Sequence, residues 1–180
     1  MILCLANSTY ATALKRYVDK FPKDSVICGL AFLDTCEDTK AYLQMMMDWH
    51  EERNLPNGIV GSSLYLAMED EEIVGVIMLR HELNAYLERI GGHIGYSVAP
   101  DKRRKGIAKW MLEEVLAIAK ANFHMNACLV SCEETNVASR QTILACKGHF
   151  MRKEVNDGIT YEMYKICLLY TSPSPRDPKT

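Results

Sequence analysis

The sequence predicts a single domain of the α/β class, and three observations carry that expectation. Residues 93–98 place Ile94, Tyr96 and Val98 at period two, as a strand requires. After a short turn, Ile107, Met111, Val115 and Ile118, with Ala108, Leu112 and Ala119, give one apolar face at helical spacing. A chain of 180 residues with 48% hydrophobic content can bury one sizeable core.

The remaining elements follow in order. Residues 2–6 are a short apolar run that reads as the first strand. Asn7, Ser8 or Thr9 caps a helix running to about Phe21, where Pro22 follows the stop. Residues 22–35 are irregular. A second helix is expected over 37–53; its Met46 and Met47 read as adaptable core packing, with 45–49 a candidate contact for a substrate. Leu55-Pro56-Asn57-Gly58 is a loop. Strands at 63–68 and 73–79 flank a polar hairpin turn, Glu69-Asp70-Glu71-Glu72, and 81–89 leads to the central strand. A strand at 127–131 and a helix at 136–147 come next. A last hairpin, 150–155 with 159–164, turns at Asn156-Asp157-Gly158. No internal repeat or linker divides the chain.

The joint between strand 93–98 and the long helix concentrates chemistry. Arg103-x-x-Gly106-x-Ala108 puts small residues where the backbone turns. A helix start leaves N–H groups without partners and carries partial positive charge. Small side chains let a bulky anion reach those groups, and Lys102, Arg103, Arg104 and Lys105 crowd the same point. Both a phosphate or pyrophosphate cradle and a solvated basic turn fit these residues; the strand-to-helix context favours the cradle.

Composition excludes several classes. A formal net charge of −2 argues against general nucleic-acid binding. No apolar run approaches the roughly 18 residues of a membrane helix, and the N-terminus lacks a basic leader. Cysteines 4, 28, 36, 128, 132, 146 and 167 are odd in number and scattered, so no disulfide framework is expected and a cytoplasmic location fits. Cys128 and Cys132 would lie about 13 Å apart along a strand, too far to share a zinc ion. They read as buried thiols, and no metal is expected.

The run Val98-Ala99-Pro100-x-x-Arg103-Arg104-Lys105-Gly106-Ile107-Ala108 resembles the acyl-CoA signature of the GNAT superfamily of N-acyltransferases, Arg/Gln-x-x-Gly-x-Gly/Ala. The resemblance extends over about residues 1–166 and implies a GNAT-like domain, with a mixed, mostly antiparallel central sheet and helices on both faces. It implies acetyl-CoA as co-substrate. Ser97, Val98, Arg103, Arg104, Lys105, Gly106, Ile107 and Ala108 would bind it, joined by Asn136 and Ser139, since Asn136-x-x-Ser139 is similar to the family's fourth-helix start. An N–H around 97–99 would polarise the thioester carbonyl. The implied activity is transfer of an acetyl group to a primary amine on a small-molecule or peptide acceptor, with a homodimer as a candidate assembly. The alternative is a non-catalytic acyl-CoA-binding regulatory module.

Two catalytic roles stay open in the sequence. His93, on the central strand, is the expected general base, with Glu82 and Glu133 as rivals. Many family members carry a Tyr seven residues after the helix-start Asn as proton donor; this chain has Ile143. Residues 167–177 resemble a translated sequencing adapter, so 167–180 is expected to be a non-native disordered tail, and the last strand to lack its native end.

Overall fold

In the computed structural model, which describes residues 1–169, seven strands form one sheet in the order β1-β2-β3-β4-β5-β7-β6. They are β1 (Ile2–Leu5), β2 (Ser62–Glu69), β3 (Glu72–Arg80), β4 (Ile94–Val98), β5 (Ala127–Glu133), β6 (His149–Asn156) and β7 (Ile159–Cys167). Every neighbouring pair is antiparallel except β4 and β5. Helices α1 (Ala11–Val18) and α2 (Thr39–His50) cover one face, and α3 (Ile107–Phe123) and α4 (Val137–Ala145) the other. The α/β class and the mostly antiparallel sheet are as expected.

Two apolar layers hold the sheet. Leu14, Tyr17, Tyr42, Leu43 and Met46 pack on Leu64, Leu66, Val76 and Met78. On the other side Met111, Leu112, Val115 and Ile143 pack on Tyr65, Ile77, Leu79, Ile94 and Val130. Burying each large side chain stabilises the fold by about 1.5–3 kcal/mol. β2 and β3 are covered on both faces, so their residues are apolar almost throughout.

Helix ends differ from the sequence expectation for local reasons. Asp38 accepts from the Ala41 N–H at 2.8 Å, so α2 starts at Thr39. It stops at His50 because Glu52 (φ 56°) and Asn54 (φ 54°) turn left-handed. Asn7 caps a 3-10 turn ahead of a shorter α1. The β6–β7 turn falls at Asp157 and Gly158, both with positive φ, as a tight hairpin demands. β7 runs to Cys167, opposite Ala127, and Leu168 is only 2% exposed. Packed chain thus continues past the expected domain limit at 166; most of the expected tail lies outside the described residues.

A polar clasp closes one end of the β2–β3 pair. His50 Nδ1 lies 2.7 Å from Ser63 Oγ, Ser63 Oγ 2.8 Å from His81 Nε2, and His81 Nδ1 2.9 Å from Glu52 Oε1. His81 also stacks on Phe123, the last residue of α3, at 4.4 Å. Ser63 is fully buried, so this Ser-His-Glu line is closed to substrates and ties α2 and α3 to the sheet.

Before β4, the backbone passes Gly92 at φ 63°, and a Cβ there would stand 2.6 Å from the Leu129 carbonyl oxygen. Backbone cannot give way as a flexible side chain can. Gly92→Ala is therefore expected to destabilise the fold by about 2–3 kcal/mol. Thermal unfolding would show this as a midpoint lowered by about 5–10 °C.

Candidate active site

β4 and β5 share one bridge, Ile94 opposite Val130, and then diverge. β4 stays paired to β3 from Ile94 to Val98, and β5 stays paired to β7 along its whole length. The sheet is thereby split into two halves with an open wedge between them. Arg80 N–H donates to the His93 carbonyl at 2.8 Å, and Ala99 N–H to the Val74 carbonyl at 2.9 Å. By the alternation of an antiparallel ladder, odd-numbered residues of β4 face β3. The N–H groups of Tyr96 and Val98 then point into the wedge. The donor expected around 97–99 narrows to Val98, because Ala99 is already engaged.

The basic turn lies at the wide end of the wedge. Arg104 (φ 62°) and Gly106 (φ 77°) are both left-handed, and Gly106 opens α3 without any side-chain cap. Among the described residues, no backbone N–H from Arg103 to Lys109 has a protein acceptor. A Cβ on Gly106 would meet nothing within 4 Å, so the space in front of these donors is open. Arg104 and Lys105 are exposed and form no ion pair among the described residues. Arg103 donates from Nε to the Val98 carbonyl at 3.3 Å and lies over the Phe21 ring. This set of donors and cations fits a pyrophosphate.

Lys102 departs from expectation. It bonds Glu69 Oε2 at 2.8 Å and lies 3.2 Å from Glu72 Oε2, while Lys20 binds Glu72 and Asp101. The acidic turn 69–72 thus anchors the loop entering α3, and Lys102 is engaged in that anchor. Glu69 and Glu72 are held below the usual carboxylate range by hydrogen bonds from these lysines.

Across the wedge, Asn136 caps α4, accepting from the Ser139 N–H at 3.1 Å. Ser139 Oγ lies 2.9 Å from the Tyr96 hydroxyl, which spans the wedge from β4. Burial pushes that hydroxyl up to about 12, so it keeps its proton. Ile143 is fully buried in the α3/α4 layer and offers no proton. Tyr96 is the wedge residue that the motif reading overlooked; its period-two position showed only which face it takes.

His93 lies just outside β4, at the joined end of the wedge. Its Nδ1 accepts the Leu129 N–H at 2.9 Å, and its own N–H donates to the Leu129 carbonyl at 2.7 Å. Burial, then the Arg80 charge, lowers its pKa to about 4. A ring so hard to protonate is a poor general base, and its ring nitrogen is occupied in joining the two half-sheets. The catalytic role expected of His93 is not what this geometry favours. Glu82 and Glu133 are both exposed. Glu133 is felt by Tyr161, whose hydroxyl is raised first by burial and then by this carboxylate. On the α1/α2 face of β4, Tyr17 Oη lies 2.9 Å from Ser97 Oγ, so Ser97 turns its side chain away from the wedge. Among the described residues no cluster could hold a metal ion, and Cys128, Cys132 and Cys146 are buried free thiols. No described helix is long and apolar enough to cross a membrane.

Comparison with known proteins bears on this geometry. The acetyltransferase (GNAT) family model matches residues 24–146. No curated protein matches in sequence. A ribosomal L7/L12 alpha-N-protein acetyltransferase in complex with coenzyme A superposes with a TM-score of 0.70 at 17% identity, over 92% of each chain. The ribosomal-protein-S5-alanine acetyltransferase of Vibrio fischeri gives 0.70 at 14%, over 95% of this chain and 94% of that one. A spermidine N-acetyltransferase from Vibrio cholerae gives 0.64 at 13%, over 93% and 95%. At such identities these likenesses speak to the fold.

His93 yields a pH test. Its folded pKa of about 4 lies below the ordinary 6.5, so the unfolded chain binds the proton first as pH falls. Stability is then complete above 6.5 and is lost as pH drops toward 4. His93→Asn keeps an acceptor at the Nδ1 position but cannot take the proton. Urea midpoints measured from pH 7 to 4 are expected to fall less steeply in this variant, with kcat at neutral pH within about 3-fold of the parent. A loss of about 10²-fold would restore His93 as base.

Proposed function

This chain belongs to the GNAT acetyltransferase family, and from that premise we propose that it moves an acetyl group from acetyl-CoA to a primary amine. One observation carries the reading: unpaired N–H groups open α3 at the mouth of a wedge whose strands share a single bridge. The pyrophosphate of acetyl-CoA would lie on Lys105, Gly106, Ile107 and Ala108, with Arg103 and Arg104 beside it and the Asn136–Ser139 end of α4 opposite. The pantetheine arm would pair with β4 along Ser97 and Val98, through the edge that β5 leaves free.

The amine nitrogen attacks the thioester carbon. A C–N bond forms, the C–S bond breaks, and the electron pair leaves on the CoA sulfur. Val98 N–H polarises the carbonyl as negative charge develops. The Tyr96 hydroxyl takes the place that Ile143 leaves vacant and hydrogen-bonds the departing thiolate. The ammonium proton passes through water to Glu133, which faces the α1/α2 side at the end of β5. The buried Ile143 also favours a second reading, a CoA-binding module without turnover; CoA binding with no amine-dependent CoA release would select it.

Calorimetric titration tests the cradle. CoA is expected to bind, and Gly106→Asp to weaken it at least about 10-fold by adding a like charge before the helix N-terminus. Unchanged affinity in folded Gly106→Asp protein would remove the cradle. Assays of amine-dependent CoA release test the proton donors and acceptors. Tyr96→Phe and Glu133→Gln are expected to lower kcat by about 10-fold and about 10²-fold, with CoA affinity within about 3-fold. A normal rate in either variant would return that role to solvent.

A further inference from the structure

Arg80 ends β3, partly buried, on the face that β3 shares with α1 and α2. Its Nη1 donates to the carbonyls of Gly91 and Gly92, at 3.4 and 3.1 Å. Among the described residues, Nε and Nη2 bond nothing in the protein, and no carboxylate pairs with the guanidinium. Enclosure pushes its pKa down, with only the neutral groups Tyr86, Tyr42 and Cys28 acting the other way. An arginine nonetheless stays charged, and enclosed cations are ordinarily paired.

A second orphan lies on the same face of the sheet. Tyr42 is fully buried, and its hydroxyl is the one buried side-chain oxygen or nitrogen among the described residues with no hydrogen-bond partner. Burial raises the Tyr42 hydroxyl, and the Arg80 charge acts against that rise. A buried hydroxyl without a partner leaves about 1–3 kcal/mol of desolvation unrecovered. Both defects would be repaired by one anion that accepts from the guanidinium fork and from the phenol, directly or through a water. Glu133, of opposite sign, reaches the same region: the Cys28 thiol is raised first by enclosure and then by Glu133, while Arg80 pulls it down.

We propose that Arg80 and Tyr42 receive a carboxylate of the acceptor, so that the acceptor is an amino-carboxylate rather than a polyamine. The proposal rests on the N-acetyltransferase reading. The carboxylate anchors on the Arg80 fork, the ammonium lies toward Glu133, and the acetyl-CoA thioester comes from the wedge on the other side of β4. A free amino acid and a peptide whose carboxylate belongs to a different residue from its amine offer the same chemistry.

The test compares acceptors that differ only in the carboxylate. Free α-amino acids, their carboxamides, short peptides with their C-terminal amides, and spermidine are assayed with the parent protein. The carboxylate member of a pair is expected to have kcat/KM on the order of 30-fold higher, the scale for a buried charge left unpaired. The pair that shows the larger gap, amino acid or peptide, identifies the source. Arg80→Gln should remove the preference through KM while leaving carboxamide rates and CoA affinity unchanged. Equal rates across each pair, or a preference for spermidine, would overturn the proposal and leave the acetyltransferase standing. If no amine is acetylated, calorimetry of the CoA-loaded protein with N-acetylalanine and N-acetylalaninamide decides. Tighter binding of the acid supports the Arg80 site although the enzymatic reading fails; equal binding overturns it. Should Arg80→Gln not fold, the comparisons on the parent protein decide alone.

Discussion

The single bridge between Ile94 and Val130 is the constraint on which the rest of this structure depends. A strand buried in a sheet must satisfy its N–H and C=O groups on both edges. β4 satisfies one edge against β3 and leaves the other open beyond Ile94. That arrangement is stable because each half-sheet is complete in itself and the apolar layer under α3 and α4 bridges the gap. Val98, Ile107, Ile143 and Val130 share one layer, so side chains join what the backbone leaves apart. His93 adds a tie at the closed end: its backbone N–H donates to the Leu129 carbonyl and its ring Nδ1 accepts the Leu129 N–H.

Charge in the molecule is sorted by partner. Lys20 and Lys102 are drawn to the acidic β2–β3 turn and Asp101, which anchors the loop entering α3. Arg104 and Lys105, on the same loop, have no carboxylate within ion-pair distance among the described residues and remain exposed beside the open helix start. On the opposite face Arg80 is cationic, partly buried and, among the described residues, without a carboxylate partner. Two anion-seeking positions therefore flank β4, one before the wedge and one behind it.

Much of this was legible in the sequence, because the signals are local. Period-two and helical spacing in residues 93–123 report which face each residue buries, and Gly106 marks a left-handed turn wherever the chain goes afterwards. Asp38, Asn136 and the Asp157-Gly158 turn act on neighbours a few residues away. Such features determined the α/β class, the element order and the open, basic start of α3. What only the tertiary structure decided depends on groups far apart in the chain. Lys102 finds Glu69, Tyr96 finds Ser139, and Tyr17 finds Ser97. Whether Val98 or Ala99 offers a free N–H depends on the β3 register, and whether His93 can hold a proton depends on burial and on Arg80. Spacing encodes a residue's face and its turn, whereas its charge state and its hydrogen-bond partner are properties of the packed surroundings, which exist only once distant segments have met.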